Sequence, residues 1–105
     1  MKIGIEQLPR GLSARTAIRR CGYGEHVSRE VSYWKRLGTG SYPRFHVYVE
    51  ERGKDAVCFN LHLDQKEVSY EGNHAHSGEY EGMAVEREAE RIRRMIALQE
   101  DESDD

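Results

Sequence analysis

Four side chains able to do chemistry lie close together in the sequence: His62, Asp64, His74 and His76. In His74-Ala75-His76 the imidazoles are two residues apart, so an extended segment would turn both to one side and let them grip one ion. His62 and Asp64 repeat that spacing. They would complete a three- or four-ligand site for Zn2+ or another divalent transition metal, provided the loop carrying the histidine pair folds back over them. Asp64 could instead orient a water as a base, which would make the chain a metal-dependent hydrolase. His46 and Glu79 are reserve ligands, and Tyr48 or Glu71 could hydrogen-bond a ligand or serve as a general acid or base. For hydrolysis the sequence supplies only residues of the right type, and whether the chain is an enzyme stays open. The plainer alternative is a loop of exposed imidazoles, with His46 and His62 as satisfied polar residues on a sheet face. Cys58 reads as a small packing residue rather than a nucleophile.

The segment from Pro43 to Gly82 must position these groups. Phe45, Val47 and Val49 alternate with His46, Tyr48 and Glu50, and Val57, Phe59, Leu61 and Leu63 alternate with Cys58, Asn60, His62 and Asp64. Period-two patterning of this kind marks half-buried strands. A tight turn at Arg52-Gly53-Lys54, with Glu51 opposite Asp55, would pair Phe45 with Leu61, Val47 with Phe59 and Val49 with Val57 on one apolar face. The other face would then carry His46/Asn60, Tyr48/Cys58 and Arg44/His62. Glycines at 72, 78 and 82 would let the following loop fold tightly.

Around this hairpin the chain predicts further elements. Lys2 to Glu6 alternates Ile3 and Ile5 with polar neighbours and ends near Pro9, as an edge strand would. Ser13 stands as an N-cap before a short helix from Ala14 to Cys21, with Leu12 set to staple against Ala17 and Gly22 as the stop. Its apolar stripe is Ala14, Ala17, Ile18 and Cys21. Tyr23 to Glu30 reads as a polar connection containing a lone histidine, His26. Val31 to Leu37 has the aromatic and β-branched content of a strand, with Tyr33 and Trp34 on opposite faces. From Met83 to about Gln99, Val85, Ala89, Ile92 and Ile96 recur at helical spacing, with Arg91, Arg93 and Arg94 on the outer side. The fold class expected is α+β, a three- to four-stranded antiparallel sheet in β-α-β-β-β-α order with the helices on one face. Residues 1–99 form one domain in this reading, and residues 100–105, EDESDD, an acidic disordered tail.

Composition narrows the classes. The 105 residues suit one small domain, and 37% hydrophobic with 33% charged residues suits a soluble one. No apolar run approaches a membrane span, and no signal-peptide h-region follows MKIGIEQLPRG, so no membrane association and a cytoplasmic location are expected. Cys21 and Cys58, far apart and in no paired motif, read as buried free thiols. The net charge of −3 is divided unevenly: residues 1–66 hold 12 Lys+Arg against 7 Asp+Glu, or +5, and residues 67–105 hold 4 against 12, or −8. The basic portion supports a second hypothesis, a non-catalytic module for nucleic acid or an acidic protein partner. It would use Arg15, Arg19, Lys35, Arg36 and Arg44, with Tyr33, Trp34 or Tyr42 as stacking surfaces. The same charges could simply meet the acidic helix or solvent. A partner-binding protein with no chemistry, or an oligomer, is also compatible.

Phosphate-binding glycine loops, H-E-x-x-H and C-x-x-C are absent from the sequence. The order His62-Leu63-Asp64-Gln65-Lys66, a His-x-His loop and a terminal helix resembles small uncharacterised prokaryotic proteins. That resemblance implies no activity and carries no site residues.

Overall fold

The computed structural model describes residues 1–65 and 74–99, with 74–80 described by backbone alone. These residues form an α+β fold of five strands and two helices: β1 (Lys2–Ile5), α1 (Ala14–Arg19), β2 (Gly24–Val27), β3 (Val31–Arg36), β4 (Arg44–Glu51), β5 (Val57–Asp64) and α2 (His74–Ala97). The sheet order is β1-β5-β4-β3-β2 with every pair antiparallel. The expected three or four strands become five because Gly24–Val27 pairs with β3 as a second edge. That strand shows no apolar alternation, since His26 and Val27 are exposed. Backbone hydrogen bonding to β3, rather than burial, defines it.

The central hairpin pairs Val47 with Leu61, Phe45 with Leu63 and Val49 with Phe59, two residues away from the register that the tight turn predicts. Glu51 opposes Val57, and Arg52 N donates to Ala56 O at 2.9 Å across a longer connection. The Asp55 carbonyl accepts from Leu8 N at 2.8 Å, so the loop docks the segment after β1 instead of extending the ladder. A two-residue slip keeps every side chain on its face, which is why the apolar pattern is satisfied by either register. Its effect falls on the polar side. There the pairs are Arg44/Asp64, His46/His62 and Tyr48/Asn60, and Cys58 faces Glu50.

Both helices pack on one face. Ser13 caps α1, its Oγ accepting from Thr16 N at 3.1 Å, and Ala14, Ala17, Ile18 and Cys21 are buried as the stripe requires. Gly22 follows at φ +102°, a conformation that side-chain-bearing residues avoid. Ala89, Ile92 and Ile96 of α2 bury against Ile3, Phe59, Leu61 and Val47, completing the core. Helix α2 starts at His74, nine residues before the apolar stripe announces it.

Inside this layer sits a polar network that periodicity does not reveal. Glu88, only 6% exposed, accepts from Tyr23 Oη at 2.6 Å and from Arg91 Nε and Nη2 at 2.8 Å each. Arg91 Nη2 also donates to Cys21 O at 2.7 Å. Arg91 therefore turns inward and ties α2 to the end of α1, where the helical wheel has it among the outward arginines. Burial works to raise the Glu88 carboxyl, but the hydrogen bonds from Arg91 and Tyr23 outweigh it and hold it below the ordinary carboxylate range. Cys21 and Cys58 are both free and buried, and burial pushes the Cys21 thiol up to about 11.

Candidate binding face of the sheet

Strand alternation divides the sheet into two surfaces. With Val47, Leu61 and Phe59 under the helices, the cross-strand partners place Lys2, His26, Trp34, Arg36, Arg44, His46, Tyr48, His62 and Asp64 on the opposite face. All of them come from the basic portion of the chain.

A stack of planar groups runs over this face. The His26 ring lies on Trp34 with centroids 3.6 Å apart and planes 20° from parallel. The Arg44 guanidinium carbon is 3.4 Å from the Trp34 ring centre and 4.4 Å from that of Tyr42. Strand β3 lies between β2 and β4, and two groups this close to one ring centre would overlap if they shared a side. Trp34 is therefore sandwiched, imidazole on one side and guanidinium on the other. Its Nε1 donates to Ser32 Oγ at 3.1 Å, which fixes the ring edge. Stacking and cation–π contacts of this kind contribute about 0.5–1.5 kcal/mol each.

Asp64 continues the line of contacts on β5. Arg44 Nε donates to its Oδ2 at 3.3 Å, and His46 Nδ1 lies 2.7 Å from the same oxygen. Because an ionised carboxylate only accepts, Nδ1 carries the hydrogen, leaving Nε2, buried and without a partner among the described residues, at the other edge of the ring. His46 meets Tyr48 edge-on at 4.8 Å and His62 at 5.3 Å between ring centres. Burial, then repulsion from His46, lowers the His62 pKa, so this exposed imidazole protonates less readily than a free one.

The metal hypothesis does not survive this geometry. Among the described residues no group of three His, Cys, Asp or Glu side chains could hold a metal ion. Asp64, expected as fourth ligand or base, is engaged by Arg44 and His46. His74 and His76 fall in the first turn of α2, and residues two apart do not share a helix face, so the extended-segment premise fails. Their side chains, Glu79's, residues 66–73 including Glu71, and the acidic stretch 100–105 lie outside the described residues. The structure places His62 beside His46, a pairing that the predicted register had assigned to Asn60.

The basic set is likewise divided. Arg36 and Arg44 reach the open face, whereas Lys35 has the opposite parity and Arg15 pairs with Glu25 at 2.7 Å on the helix side. Arg19 closes α1. Tyr33 is buried, 5% exposed, and offers no stacking surface, while Trp34 and Tyr42 flank Arg44. Two participants were invisible in the sequence pattern: Lys2, read only as part of a strand, and His26, read as a loop histidine. A tendency of β2 to pair would have been the signal for His26, and its polar composition carries none.

No protein-family model, curated protein or solved structure matches this chain. No helix among the described residues is long and apolar enough to cross a membrane.

Proposed function

We propose that the protein is a binding module whose sheet face opposite α1 and α2 takes single-stranded nucleic acid. The observation that supports this most is the His26–Trp34–Arg44 stack, an array of flat groups at the spacing of stacked bases, laid across an open antiparallel sheet. Single strands are held by a combination of this kind: planar surfaces for bases and cations for phosphates. Lys2, Arg36 and Arg44 supply the cations, and Tyr48 and His62 extend the ring-bearing surface toward β1. Charge distribution favours the same face. Its residues belong to the +5 portion of the chain.

Anisotropy of a labelled single-stranded oligonucleotide about ten nucleotides long, inside the usual footprint of such surfaces, tests the reading. Three cations meeting phosphates give a log K against log salt slope near −2, at about −0.7 per phosphate. Arg36→Gln with Arg44→Gln should flatten that slope to about −0.7. Absence of binding at low salt, or equal preference for duplex of the same length, would sink the proposal.

A further inference from the structure

Trp34 is the obvious residue for stacking a base, and the geometry argues against it. Both faces of its indole are already covered, by His26 at 3.6 Å and by Arg44 at 3.4 Å. Its one polar edge is spent on Ser32. A base reaching Trp34 would have to displace one of these groups and forfeit a contact about as strong as the one it made. His26 differs. It sits on β2, the outermost strand of the sheet, and is exposed. One ring face is held on Trp34, and among the described residues no further strand lies beyond β2 to cover the other.

Resting on the nucleic-acid reading above, we propose that His26 is the base-stacking platform of the open face and that Trp34 is a positioning residue. Trp34 holds the imidazole plane in place without touching a base. A nucleobase stacked on the outer face of His26 extends the existing column by one ring and keeps every contact already made. Pre-orientation by Trp34 removes the ordering cost that a free side chain would meet on binding. Arg44, on the other side of the indole, is held by Asp64 at 3.3 Å and so keeps the column from sliding.

Two substitutions separate stacking from other roles. His26→Leu removes the ring but leaves a side chain covering the Trp34 face, so a base cannot take the vacated place; His26→Phe keeps a ring and removes the nitrogens. Oligonucleotide affinity should fall about 5- to 150-fold in His26→Leu, the range for one stacked base, and stay within about 2-fold of the parent in His26→Phe. An oligonucleotide carrying one abasic position, moved along its length, should show a position whose penalty in the parent protein disappears in His26→Leu. Urea midpoints of both variants establish that they fold. Parent-like affinity in His26→Leu, equal loss in both variants, or an abasic penalty that persists in His26→Leu would each overturn the assignment. Failure of the parent to bind any single strand would instead overturn the function proposed for the face.

Discussion

The two faces of this sheet are built from the same strands and differ by one residue in phase, yet they are held together by different physics. On the covered face Phe59, Leu61, Val47 and Ile3 are excluded from water under two helices, and stabilisation scales with apolar area. On the open face Trp34, Arg44, His46 and Asp64 are partly exposed and joined by directional contacts of a kilocalorie or so apiece. The comparison teaches that the first surface carries the stability of the domain. The second contributes less to it.

The largest effect should come from emptying the covered face. Phe59→Ala removes a side chain with no exposure and should cost about 3–5 kcal/mol in urea unfolding, a large part of the 5–15 kcal/mol typical of a domain. If Tyr48→Ala on the open face destabilised equally, the division of labour would be wrong.

Next comes the closed polar network. Glu88→Gln removes the charge that Arg91 and Tyr23 surround, and should cost about 2 kcal/mol because Arg91 retains some access to water. Its pH dependence has a definite sign. The carboxyl is held below its ordinary value of 4.5, so its contribution is present above that value and is lost as pH falls through the lower folded value. Acid titrations of the unfolding midpoint should therefore be flatter in Glu88→Gln than in the parent.

A smaller change on the open face should move stability and binding in opposite directions. Asp64→Asn weakens the hold on Arg44 and His46, lowering stability by about 1 kcal/mol, but deletes the carboxylate beside Arg44 and should tighten oligonucleotide binding. Weaker binding would mean that the position of Arg44 matters more than the local charge. The smallest effect belongs to His62. Burial, followed by His46, lowers its pKa from 6.5, so the unfolded chain takes up the proton first and stability declines as pH falls through that value. His62→Gln should remove this decline, which denaturant midpoints measured between about pH 5 and 7 would reveal.

Much of the covered face is legible in the sequence alone. Strict alternation in residues 45–49 and 57–63, the Ser13 cap, and the Val85-Ala89-Ile92-Ile96 stripe each reflect burial, and burial leaves a periodic trace. Helix α2 began earlier than its stripe because residues 74–82, HAHSGEYEG, hold no apolar residues at helical spacing and so leave no such trace. The buried Glu88 was hidden for a related reason: its partners Tyr23 and Arg91 are 65 and 3 residues away, and only the fold decides that both arrive together. On the open face the expected metal centre failed on two local facts, a helical His74–His76 segment and an Asp64 already engaged.

The amino-acid sequence by itself determined which residues share a face, because side-chain period in strands and helices is a property of the local backbone. Only the tertiary structure decided which of them meet. Registers two residues apart bury the same apolar set equally well, so hydrophobicity cannot choose between Arg44 opposite His62 and Arg44 opposite Asp64. The register found is the one in which the Asp55 carbonyl accepts from Leu8 N, a contact between distant segments that no local pattern encodes, and the pairing of a polar edge strand sets His26 on Trp34.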